Sequence, residues 1–171
     1  MDRRLSGLRR NYLSTKIDQE HIVQDLFDIL DEAFVTHHGI FLDEGTSLFE
    51  TLETITAAEA SIPVGGKCAT LAAQVAHVNF YLEVMEAYIL KKDLGKVDWG
   101  DIWRRVNRVS PEEWKVCKDQ LKETYQRIVF MLQDLEDWND ERPIGSALAI
   151  AVHTAYHLGE IRQAMCTVKR D

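Results

Sequence analysis

Apolar residues recur at three- and four-residue intervals along almost the whole chain, so the pattern predicts helices and leaves little room for strands. A first helix is expected from near Asp18 through Phe34, with Ile22, Leu26, Ile29, Leu30 and Ala33 on one stripe and a stop around Gly39. A second helical stretch, SLFETLETI, carries Leu48, Leu52 and Ile55 on one face. Thr56 and Glu59 have the spacing of a capping box for one more short turn. Pro63 and the Gly65-Gly66 pair oppose continuation, and Thr70 is placed to cap a long helix running to about Lys92.

Residues 93–109 form a long connection with a short helical piece, DIWRRV. A link of that length can carry the chain back along a helix of about 35 Å, so the helices on either side can run parallel. Ser110, Pro111 and Glu113 then supply a cap, a proline at the first helical position and a glutamate at the third, starting a helix expected to reach about Leu135. After the polar loop EDWNDERP, the last helix is expected from about Gly145 to Val168. Four long helices with short ones in their connections predict an all-α four-helix bundle. The bundle is expected to form one domain over residues 18–171, preceded by a basic, flexible arm at residues 1–17.

Charge narrows the partners. A formal net charge of -8 disfavours nucleic acid, whose binders draw much of their affinity from clustered Lys and Arg. The basic residues of the arm, Arg3, Arg4, Arg9, Arg10 and Lys16, have no long apolar face beside them and read as solvated. No apolar run has the length of a membrane span and no secretory leader is evident, so a cytoplasmic protein without membrane contact is expected. Cys68, Cys117 and Cys166 show no C-x-x-C spacing, which suits a reducing compartment and packing roles, although Cys68 lies in a glycine-bearing loop.

The candidate chemistry lies in histidine. His153 and His157 stand four apart in SALAIAVHTAYHLGEIRQAM, so their side chains leave the same helix face. Ser146, Ile150, Glu160 and Ala164 share that stripe, and Leu148, Ala151, Val152, Ala155, Leu158, Ile161 and Met165 around it make the pair look inward. Such a spacing also arises by chance among six histidines, as hydrogen-bonded core or boundary residues. His77 lies in another apolar helix, AAQVAHVNFYLEV, and a buried imidazole must find partners for two ring nitrogens. One metal ion shared by His77, His153 and His157 would satisfy all three rings and leave coordination positions open, the arrangement of a catalytic rather than a structural site. His21 is expected to face solvent, and His37 and His38 either to complement the C-terminal end of the first helix or to stand beside the pocket.

With these residues in place, the chain resembles the DinB/YfiT-like superfamily over about Glu20 to Met165. The family's H-x-x-x-H-x-G-x-I-R/Q signature reads here as His153, His157, Gly159, Ile161, Arg162 and Gln163, and its upstream helix histidine falls on His77. The Gly45-Thr46-Ser47-Leu48 turn, SLFETLETITAAEAS and the proline-glycine loop fall in the family's order. The resemblance implies a bundle of up-down-down-up topology and a divalent metal, usually zinc or nickel, held by those three histidines plus water. One departure is that some relatives carry Trp-His-Gly-Pro-Ser-Leu where this chain has Asp43 to Leu48, so nothing about substrate is carried over from that loop.

Two reaction classes and one non-catalytic role stay open. Characterised relatives resemble bacillithiol- or mycothiol-dependent transferases, which implies a low-molecular-weight thiol as co-substrate and an electrophilic small molecule as substrate. Metal-bound hydroxide acting on a small amide or ester is the hydrolytic alternative, and a non-catalytic metal- or small-molecule-binding module is the third. Glu160 is the candidate for orienting His157 or acting as general base, with a surface salt bridge as its plain alternative. Tyr81, four residues after His77, is the candidate donor to a bound ligand, with core packing as the alternative. Trp99 and Trp103 either wall the cleft or cover a bundle end, Arg162 is expected to be structural, and exposed helix faces leave room for a homodimer.

Overall fold

The computed structural model describes residues 18–65, 69–136, 138 and 140–169. The expected arm at residues 1–17 and Cys68 lie outside the described residues. The regular structure among the described residues is helical, with α1 (Gln19–Phe34), α2 (Leu48–Glu53), α3 (Ala57–Ala60), α4 (Leu71–Ile89), α5 (Asp101–Arg105), α6 (Pro111–Gln133) and α7 (Glu141–Val168). No strand forms among the described residues, where Pro63 and Thr70 make an isolated bridge. No helix among them is long and apolar enough to cross a membrane.

The helix starts follow from local chemistry. Asp18 accepts from the Glu20 backbone N–H at 3.0 Å and Thr70 from that of Ala73 at 3.2 Å, satisfying donors that the first turn leaves free. At α6 the capping box is complete: the Ser110 hydroxyl accepts from the Glu113 N–H at 3.1 Å, and the Glu113 carboxylate accepts from the Ser110 N–H at 2.7 Å. Thr56 and Glu59 close the same box on α3. Helix α4 stops at Ile89, short of Lys92, because Lys91 adopts a left-handed backbone with φ of 57°.

Helix α7 starts at Glu141, four residues before the expected Gly145. Pro143 falls in the first turn, where a missing N–H breaks no intrahelical bond, and Asp140 caps the helix by accepting from the Arg142 N–H at 3.1 Å.

Packing fixes the helix directions. Arg127, sixteen residues into α6, pairs with Glu86, fifteen into α4, through 3.1 and 2.9 Å bonds, so the two helices run the same way, as the long connection predicts. Ser61 after α3 ties that connection down by accepting from the Val109 N–H at 3.0 Å. Helix α7 runs against α4: Lys91, just past the end of α4, meets Asp140 at the start of α7, while Gln74 near the start of α4 meets His157 far along α7.

The core between these helices contains Leu30, Phe34, Leu52, Leu82, Leu121, Ile128, Leu158 and Ile161, each fully buried and each worth roughly 1.5–3 kcal/mol of burial. Phe34 stacks on Tyr125 with ring centroids 4.4 Å apart, joining α1 to α6. Of the predicted α1 stripe, Leu26, Leu30 and Ala33 are buried, Ile29 is half-buried, and Ile22 is 37% exposed in the first turn.

Candidate metal centre

Helix α4 presents Gln74, His77 and Tyr81 at i, i+3 and i+7, and α7 presents His153, His157 and Glu160 at i, i+4 and i+7. Because the two helices pack face to face, the three imidazoles meet. Their ring centroids lie 5.1 Å (His77–His153), 4.9 Å (His77–His157) and 4.5 Å (His153–His157) apart. One nitrogen from each ring falls within 4.8 Å of the others, close enough to hold one metal ion. Among the described residues no other set of three His, Cys, Asp or Glu side chains gathers this way.

His77 and His157 are buried and His153 is half-buried. Burial, and then repulsion from neighbouring rings, lowers the pKa of His77 and brings that of His153 down to about 4. Burial also lowers His157, against the opposing pull of Glu160. At neutral pH the rings are therefore uncharged, the form that donates a lone pair to a cation. The Nδ1 atoms of His77 and His153 are buried with no hydrogen-bond partner, a costly state for a polar atom. Neutral rings, convergent nitrogens and unpartnered ring atoms together fit a divalent cation.

The surroundings differ for each ring. His157 Nδ1 lies 2.8 Å from Gln74 Oε1 and 2.9 Å from Glu160 Oε2. The Tyr81 ring lies flat on His153, and Trp103 lies over His77 with centroids 4.5 Å apart. Trp99 packs on Tyr81 at 5.9 Å and on Phe80 at 5.7 Å, so the α5 region walls the site on one side. Tyr81 is held protonated by burial, which raises its pKa.

Glu160 lies beside the triad, where its carboxylate contacts His157 itself and accepts a hydrogen bond from the Tyr156 hydroxyl. Gln74 is absent from the sequence-level candidates, although its position three before His77 puts it on the same face. Arg162 points away and reaches Thr51 on α2 at 3.4 Å, in keeping with a structural role. Leu148 and Val152, expected to help turn the histidine face inward, are 47% and 69% exposed, and Tyr156 joins them on the outer face at 63%. The apolar residues of α7 cover more than one side of the helix, so composition alone did not separate its inner from its outer face.

The other histidines stand apart. His21, His37 and His38 are exposed, and His38 Nε2 pairs at 2.6 Å with Asp31 in the last turn of α1. Burial pushes the Cys117 thiol up to about 11, which fits packing and not nucleophilic use, whereas Cys166 is exposed. No family model, curated protein or solved structure compared with the chain matches it.

Proposed function

We propose that the chain is a metal-dependent enzyme of the DinB/YfiT-like type, a four-helix bundle of up-down-down-up topology in which His77, His153 and His157 hold a divalent ion, zinc or nickel by donor type. Its proposed reaction is transfer of a small thiol to an electrophile. The observation that carries the reading is the composition of the cluster: three neutral imidazoles with no carboxylate or thiol from the described residues joining them. A three-histidine set leaves coordination positions for exchangeable ligands and leaves the ion's full charge undiminished.

Such an ion lowers the pKa of a bound thiol or water, so that either is available deprotonated near neutral pH. The protein's own residues supply the rest. Trp103 and Trp99 cover one flank of the site, and the protonated Tyr81 hydroxyl is assigned as a hydrogen-bond donor to the bound small molecule. Glu160 is assigned to holding His157, because its carboxylate already lies 2.9 Å from the Nδ1 of that ring. In the transfer the thiol gives its proton to solvent water, its sulfur forms the new bond to carbon, and the leaving group departs with the electron pair of the bond that breaks.

The test is the product. Metal-loaded protein mixed with a bacillithiol-type thiol and a chloro-nitroaromatic should yield the thioether and chloride, and His153→Ala should abolish the yield together with metal binding. Cleavage of amide or ester libraries without thioether would establish the hydrolytic alternative. Undiminished conjugation by metal-free His153→Ala would overturn the enzyme reading based on this cluster.

A further inference from the structure

We propose that Gln74 and Glu160 are positioning residues that hold His157 as the Nδ1–H tautomer and thereby present its Nε2 lone pair to the metal. The inference rests on the metal-site reading above and goes on to name the ligand atom and the residues that select it. A neutral imidazole carries one N–H and one lone pair, and its environment decides which nitrogen has which. His157 Nδ1 faces two oxygens at once, Gln74 Oε1 at 2.8 Å and Glu160 Oε2 at 2.9 Å. A carboxylate accepts and does not donate, so Glu160 requires a hydrogen on Nδ1 whichever way the Gln74 amide is turned. The lone pair is then left on Nε2.

The arrangement is specific to one ligand. His77 and His153 have Nδ1 atoms that are buried without any partner, so no protein group selects their tautomer in this way. The two clamping oxygens come from different helices, α4 and α7, and His157 sits beneath them with its side chain 8% exposed. Gln74 and Glu160 also line a shallow pocket of about 400 Å³ with Gly159 and Gln163, on which the carboxylate remains partly open to water. His157 is therefore oriented before any ion arrives, and partners of this kind typically change metal affinity by about 10- to 100-fold.

The experiment uses the full chain with 15N-labelled histidine. Long-range 1H–15N correlation on the metal-free protein should show His157 protonated at Nδ1 and bare at Nε2. In the double variant Gln74→Leu with Glu160→Leu, that preference should be lost and the affinity for added zinc should fall by about 10- to 100-fold. Glu160→Gln, which keeps an acceptor beside Nδ1, should retain both the tautomer and most of the affinity, and it serves as the reading if the double variant fails to fold. Finding the Nε2–H form in the wild-type chain, or an unchanged tautomer in the folded double variant, would overturn the proposal. Failure of the wild-type chain to bind zinc while His157 still shows the Nδ1–H form would instead remove the metal reading and leave the clamp as a property of the ring.

Discussion

The rings of Tyr81 and His153 lie face to face, with centroids 3.6 Å apart and planes within 5° of parallel. Tyr81 thus braces a metal-ligand candidate on α7 from its own place on α4, and the aromatic face and the hydroxyl become separable in experiment. Tyr81→Phe should leave thermal stability and zinc affinity nearly unchanged and lower turnover roughly tenfold, the worth of one hydrogen bond of about 1.5 kcal/mol. Tyr81→Ala should cost about 1–3 kcal/mol of stability by removing the half-buried, stacked ring, and should weaken metal binding as well. Unfolding curves and zinc titration of the two variants distinguish the roles, and equal losses in both would contradict a part for the hydroxyl alone.

The triad gives the metal-free protein a characteristic response to acid. His153 titrates near pH 4 in the fold, and His77 and His157 also lie below their ordinary value, whereas in the unfolded chain all three titrate near pH 6.5. Between those limits the unfolded state binds more protons, so stability falls as pH drops from about 6.5 towards 4 and is insensitive to these rings above about 7. Melting temperature against pH should show this slope in the metal-free wild type, and His153→Ala should flatten it.

Glu32 answers for a different part of the chain. Its carboxylate is fully buried and accepts from the backbone N–H groups of Ile40, Phe41 and Leu42 at 2.9–3.2 Å, shaping the loop between α1 and α2. Burial pushes its pKa up, but the backbone bonds more than offset that and leave it below the ordinary value. The stabilisation is therefore present above the unfolded pKa and lost as pH falls through the lower folded one. Glu32→Ala should destabilise the protein by about 1–3 kcal/mol at neutral pH, because it leaves those donors without their acceptor. Chemical denaturation measures this directly, with little effect expected on zinc affinity.

Much of this architecture was legible in the residues, and the boundary follows how local each determinant is. Caps such as Ser110–Glu113 and Thr56–Glu59 act within one turn, so their spacing identified the starts of α6 and α3. His153 and His157 share a face by helix geometry alone, and their inward placement was readable, but the outward turn of Leu148 and Val152 depended on how α7 rotates against α4 and α1. Gln74 was overlooked because its importance comes from a partner 83 residues away, and a polar residue beside an apolar stripe carries no signal of that contact. Pro143 marks the opposite case: it ends the polar loop EDWNDERP in the sequence pattern, yet in the fold it is a first-turn residue of the helix that loop leads into.

Trp103 provides an optical report on the site. Its ring lies 4.5 Å from that of His77, whereas Trp114 is buried elsewhere, donating to the Ile55 carbonyl at 2.8 Å. Adding nickel or cobalt should quench part of the intrinsic fluorescence, and Trp103→Phe should remove most of that change while Trp114→Phe leaves it. Trp99, which packs on Tyr81 at 5.9 Å, is the other indole near the site, so a quench unaffected by both Trp103→Phe and Trp99→Phe would place the bound ion away from this triad.

Everything proposed for function depends on His77, His153 and His157 acting on one ion. Metal titration of the purified, chelator-stripped chain by calorimetry, alongside elemental analysis, is the most direct measurement. The predicted result is one zinc or nickel per chain in the wild type, with affinity lost when any one of the three histidines is changed to alanine in a protein that still folds. Absence of stoichiometric binding, or binding that survives all three substitutions, would contradict the account.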